Sequence, residues 1–358
     1  MICLYAAVGS AVAVITQQNG RWVPRLALEG LDARCLAADP ARPERVYCGT
    51  FGRGLWVSDD AGATWAPVGD GITSDRVMAV AVSPIERAGG YGIVWAGTEP
   101  SALFRSEDGG KTWHACPALT RLPSAPTWSF PPRPWTHHVR WIEPDPVVAG
   151  RLFVGIELGG VMRSLDGGLT WEDRKPGSQF DCHTLRTHRR APGRVYEAAG
   201  GGYAESLDGG ASWRGFDAGL PWHYLWGLAV DPADPDTMIV SASPGARQAH
   251  GPRSHQTGDG EPAAGASASI PGAESVICRR TGGGPWQEVR KGLPDPHGTL
   301  AYVLAAHDAE PGVFYAAPHH GAIYRSADRG ESWERLDIAW PAGYRPERTH
   351  ALAVVSLP

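Results

Sequence analysis

Five copies of one eight-residue pattern set the fold of this chain before any other feature is weighed. They run Ser58–Trp65, Ser106–Trp113, Ser164–Trp171, Ser206–Trp213 and Ser326–Trp333, with the common form S-x-D-x-G-x-[S/T]-W. Two eroded copies, Thr16–Trp22 and Arg280–Trp286, keep little beyond a glycine and the tryptophan. Each position has a task in a tight turn between two strands. The Asp carboxylate accepts N–H groups of its own turn, the Gly supplies positive φ, and the Ser/Thr hydroxyl ties down the returning strand. The Trp then buries a large flat surface beside the turn. Turn chemistry repeated at intervals marks a repeated supersecondary unit rather than a repeated active site.

Around each copy the same order of segments returns: an apolar strand ending near Asp-Pro, a second strand, a third, the turn motif and a fourth. The clearest first pair is residues 225–240, with parallels starting at Cys35, Val77, Val139, Leu185 and Val303. Six full units of four short strands are the signature of propeller blades. A seventh comes from the ends. Residues 350–356 look like a first strand with nothing after it, and residues 2–28 like second, third and fourth strands with nothing before. The two ends therefore close one blade, which removes exposed sheet edges. The expectation is an all-β, seven-bladed β-propeller in one domain, residues 1–358, with insertions at 117–135 and 244–274.

The motif is the Asp box, and the chain resembles the BNR/Asp-box repeat families: sialidases, sortilin-type receptors, xyloglucanase-type hydrolases and photosystem II assembly factors. The resemblance covers nearly the whole chain and implies that the boxes lie on the face opposite the working site. It does not extend to sialidase chemistry. Those enzymes have six blades, an arginine triad, a Tyr/Glu pair and an F/Y-R-I-P motif, and the nearest match here, Arg121-Leu122-Pro123, lies in an inter-blade link. Xyloglucanase-type hydrolases clamp substrate between two propellers, and one is legible here. A partial similarity to single-propeller lyases with a metal-dependent His-and-Glu site is analogy of fold and chemistry alone.

Composition fits a turn-rich β protein, with 46 Gly, 31 Pro and 15 Trp. The formal charge of −5 gives no support for nucleic-acid binding, and no stretch is long enough to span a bilayer. The apolar start, Met1–Ile15, lacks a basic leader and reads as closing-blade strands, so the expected location is cytoplasmic. Six cysteines without C-x-x-C spacing read as reduced, mostly buried thiols.

Strand alternation gathers the starts of all first strands and the second-to-third-strand turns on one face, where loops carry function. Aligning first strands by their ends places Arg34, Met78, His138, His183, Trp226, Tyr302 and His350 at one register near the channel mouth. Close by come Trp135, His137, Trp222 and His223, and the turns add Arg53, Glu99, Glu157, His319 and His320. Both insertions fall on this face, the first stiff and aromatic, the second rich in Gly, Ala, Ser and Pro. Three readings compete. His138, His183 and His350 bind one divalent ion (Zn, Fe, Cu, Ni or Mn), with Glu157 as ligand or base. Alternatively a histidine and Glu157 act as a metal-free acid–base pair on a small molecule walled by Trp135, Trp222, Trp226 and Tyr302. In the third, the rim is a non-catalytic platform for a protein partner. Against all three stands the option that these histidines only hydrogen-bond neighbouring blades. The favoured expectation is a hydrolase or lyase with His138, His183 and Glu157 catalytic, and a glycosidase is less favoured.

Overall fold

The computed structural model describes residues 1–251, 269–344, 346 and 348–358. The part of the second insertion at 252–268 lies outside the described residues. The strands of the described residues form seven separate antiparallel sheets. Blade 1 joins the chain ends: Thr349–Ser356 pairs with Ile2–Val8, followed by Ala11–Gln18 and Arg21–Ala27. Blades 2 to 7 begin with the inner strands Ala33–Asp39, Val77–Ala88, Val139–Pro144, Cys182–Thr187, Tyr224–Asp231 and Val303–Ala306, respectively. Each inner strand touches the next, and that of blade 7 touches that of blade 1, so the ring closes. Blade 4 has three full strands, with a single Arg163–Glu172 bridge in place of the fourth. The expected seven blades and shared closing blade are what the chain forms.

The Asp box builds itself from short-range hydrogen bonds. In blade 3, Asp108 Oδ1 accepts the N–H groups of Lys111 (2.9 Å) and Thr112 (3.0 Å), while its Oδ2 accepts the Thr112 hydroxyl at 2.6 Å. Ser106 Oγ donates to Asp108 (2.9 Å) and accepts Gly110 N–H (2.8 Å), and Trp113 Nε1 donates to the Gly110 carbonyl. Burial would raise the Asp108 carboxyl, but these donors override it and hold it at about 2. The second box glycine has φ +83° at Gly210, where an added Cβ would meet Phe153 of the preceding blade at 2.7 Å. The box thus locks each blade onto its predecessor as well as turning the chain.

Seven apolar cores fill the seven gaps between blades. Trp95, Ile142 and Val154 join blades 3 and 4; Tyr196, Leu228 and Val240 join 5 and 6. Leu4, Ile15 and Tyr315 join 7 and 1. The first insertion is anchored in this scheme: Leu119 and Trp128 are buried in the core between blades 3 and 4. All six cysteines are unpaired, five of them buried.

One irregularity positions the site. The inner strands of blades 1 to 6 each carry a register shift near their first residues, at Arg34, Met78, Arg140, His183, Trp226–Gly227 and, in blade 1, His350. A bulge re-aims the extra residue and interrupts the pairing. Here it directs six unlike side chains at one opening. The glycine opposite the bulge lets the next blade approach: a Cβ on Gly97 would meet Val139 at 2.4 Å, and one on Gly155 would meet Cys182 Sγ at 2.5 Å. The bulge also corrects the register read from sequence. In blade 4 the ring position belongs to Arg140, and His138 sits just before the strand.

Candidate functional site

Arg34, Met78, Arg140, Trp226 and His350 line the central channel. At its mouth, opposite the boxes, the ends of blades 3 to 6 assemble a polar cluster. Glu157, on the turn after Leu152–Ile156, lies 3.0 Å from His138 Nε2 and 3.8 Å from Arg140 Nε. Burial opposes its ionisation, but His138, His183 and Arg140 override that and hold the carboxyl at about 2. Glu157 is therefore a fixed negative charge at any physiological pH.

His183 is fully buried, and its Nδ1 lies 2.6 Å from the Leu225 carbonyl. A carbonyl only accepts, so Nδ1 donates to it, and Nε2, which carries a lone pair in the neutral ring, is the nitrogen left to face the mouth. That nitrogen faces Asp181 Oδ1 at 3.4 Å, and among the described residues neither of these buried atoms has a hydrogen-bond partner. Donor atoms of Glu157, Asp181 and His183 lie within 4.8 Å of one another. With His183 neutral, these converging acceptors form a donor set that a cation could occupy. Two carboxylates and one imidazole suit Zn²⁺, Fe²⁺ or Mn²⁺. His138, bonded to Glu157, stands where an orienting partner of a metal ligand belongs.

Trp226 plates the other side. The His183 ring lies 4.7 Å from it, the Arg140 guanidinium stacks at 4.3 Å, and His250 stands edge-on at 4.3 Å. His250, from the short helix Ala246–His250 of the second insertion, accepts from Arg348 at Nδ1 and meets Tyr224 Oη at 2.9 Å through Nε2. Burial, together with Arg348, keeps His250 neutral, well below the usual histidine range.

The remaining sequence candidates are spread more widely. His350 lies against Arg34 Nη1 at 3.3 Å, and burial among Arg34, Arg348 and Arg140 drives its pKa far down. It does not share a donor set with His183, so the three histidines expected to hold one ion divide between an anionic and a cationic half of the mouth. Glu99 is fully buried beneath Arg133, which reaches it at 2.7 and 2.5 Å, and its Oε2 lies 3.7 Å from His138 Nδ1. His137 stands edge-on to Trp128, and burial lowers its pKa. His319 pairs with His320 at 4.7 Å, and burial takes it to about 4. Arg53 and His223 are exposed, and Trp135 is 76% exposed. Trp222 packs at the core between blades 5 and 6, and Tyr302 is buried in the core between 6 and 7 rather than walling the pocket. Sequence reading did not single out Arg140 or Arg348 for the mouth. The first is hidden by the bulge; the second is legible only as the residue two before His350.

Fold and site together define an Asp-box β-propeller whose channel mouth carries a carboxylate–imidazole cluster beside a set of guanidinium groups. The BNR/Asp-box repeat family model matches residues 104–115, the box of blade 3. A probable oligoxyloglucan-reducing end-specific xyloglucanase from Neosartorya fischeri is 26% identical over 349 residues, covering 80% of this chain and 38% of that protein. The chain thus spans about two-fifths of the length of that relative. Among solved structures, an ancestral GH74 enzyme superposes with TM-score 0.61 at 16% identity, over 92% of this chain and 40% of the other. YCF48 bound to D1 peptide superposes with TM-score 0.56 at 16% identity, over 85% and 81%. At these identities the two structures establish the propeller fold.

Proposed function

We propose that the channel mouth is the active site of a metal-assisted hydrolase acting on a small molecule. The observation that carries this is the pair of buried, unpartnered acceptors, His183 Nε2 and Asp181 Oδ1, with Glu157 alongside. These three residues would hold one divalent cation, which when bound supplies a Lewis acid and an acidified water. The chain's own groups then have distinct tasks. His138 holds Glu157 in place, Trp226 offers an apolar wall, and Tyr224, whose hydroxyl meets His250, retains an O–H to donate to a leaving atom. In hydrolysis the water oxygen bonds to the electrophilic carbon or phosphorus, the bond to the leaving group breaks, and a proton passes to that group. The curated relative's name adds support for hydrolytic chemistry, and places xyloglucan oligosaccharides in any substrate panel.

The test is a panel of chromogenic esters, amides, lactams, phosphate esters and xyloglucan oligosaccharides, assayed before and after chelation. The expected result is turnover that chelation removes, that added Zn²⁺ or Mn²⁺ restores, and that His183→Ala lacks. Turnover unaffected by chelation would replace this reading with metal-free acid–base catalysis by Glu157. No turnover by a metal-free protein would leave a binding platform.

A further inference from the structure

The cationic half of the mouth carries more guanidinium charge than the described carboxylates beside it match. Arg34 is matched by Asp32 at 2.7 Å, and Arg140 approaches Glu157 only through Nε, at 3.8 Å. Arg348 faces no carboxylate among the described residues, and its contact is the neutral His250. The buried Nε atoms of Arg34 and Arg140 have no hydrogen-bond partner among the described residues. All three groups lie near His350: Arg34 touches it, Arg140 lines the same cavity, and Arg348 stands two residues before it, just ahead of the strand Thr349–Ser356. Gathering three guanidiniums around one imidazole costs free energy through repulsion and desolvation. Burial foremost, with repulsion from Arg34 and Arg140, brings Arg348 down to about 10 although Tyr224 and Glu157 oppose the drop. Such an arrangement persists where an anion completes it, since a guanidinium presents a planar fork of donors to carboxylate or phosphate oxygens.

We propose that the seat formed by Arg34, Arg140 and Arg348 around His350 binds the anionic group of the substrate, a carboxylate or phosphate on a small organic molecule. This rests on the hydrolase reading for its second half: Arg140 is shared between the seat and Glu157, so an anion held there points the rest of the molecule across Trp226 toward the Glu157–Asp181–His183 cluster. The charges agree. Three arginines and a divalent cation give five positive charges against three from Asp32, Glu157 and Asp181, leaving two for a ligand to neutralise.

The experiment is calorimetric titration of the full chain with inorganic phosphate and with succinate, metal-free and Zn-loaded, for the wild type, Arg348→Met, Arg140→Met and His183→Ala. The expected result is saturable binding of at least one anion, the stronger of the two marking the substrate's charged group. Arg348→Met and Arg140→Met each weaken it at least tenfold. Arg348→Met keeps or raises the melting temperature, because an unmatched buried cation is replaced by an apolar chain of similar length. His183→Ala, measured metal-free, still binds the anion, so failure of the metal site and failure of the seat read out separately. Absence of binding of both anions to wild type in both metal states overturns the proposal. So does binding that survives both arginine substitutions. If Arg348→Met does not fold, the Arg140→Met titration decides.

Discussion

His138 Nε2 lies 3.0 Å from Glu157 Oε2, while its Nδ1, without a hydrogen-bond partner among the described residues, faces the buried carboxylate of Glu99 at 3.7 Å, so one imidazole stands between two acids from neighbouring blades. Arg133, from the first insertion, fixes Glu99 in turn. The 117–135 segment therefore reaches the Glu157–Asp181–His183 cluster through Arg133, Glu99 and His138, as an outer support rather than as a wall.

Removing that support is expected to weaken the site without emptying it. His138→Ala should lower divalent-metal affinity by about 10- to 100-fold, the usual effect of deleting a hydrogen-bonded partner of a ligand. Competition against a fluorescent zinc chelator measures it. Unchanged affinity would remove His138 from the site.

Glu197 supplies a pH test of the fold beside the mouth. It is fully buried in blade 5, its Oε1 lacks a partner, and burial raises its carboxyl to about 8, partly offset by Gln179 N–H and Cys182. The folded pKa exceeds the unfolded one, so the stability it contributes is full below about 4.5 and is lost as pH rises through 8. Urea unfolding between pH 5 and 9 should show wild type weakening by a few kcal/mol while Glu197→Gln stays flatter. Parallel pH profiles would contradict this.

The boxes are expected to act on stability alone. Asp108→Ala removes the acceptor of two hydroxyls and two backbone N–H groups and should cost about 1–2 kcal/mol. Metal binding should be unchanged, because the box lies on the opposite face. Chemical denaturation and a metal titration on the same sample check both halves.

The architecture was legible because its determinants are local and repeated. Ser106, Asp108, Gly110 and Trp113 satisfy one another within eight residues, and the pairing of Thr349–Ser356 with Ile2–Val8 follows from strands missing at opposite ends. His183, Glu157 and Trp226 were legible as site residues because propeller topology places their strand ends together. Arg140 was not, since a one-residue bulge changes which side chain enters the channel and leaves no mark in hydrophobic alternation. Asp181 and His250 gain meaning only from the atoms they face, which come from another turn and from an insertion.

The most direct measurement is metal content after dialysis against Zn²⁺, Mn²⁺ and Fe²⁺ in turn, by mass spectrometry, for wild type, His183→Ala, Asp181→Asn and Glu157→Gln, with circular dichroism as the fold control. One equivalent in the wild type, lost in His183→Ala and reduced in the two carboxylate variants with the β spectrum retained, is the predicted result. A wild type that emerges metal-free from all three, or variants that keep the full equivalent, would contradict the account.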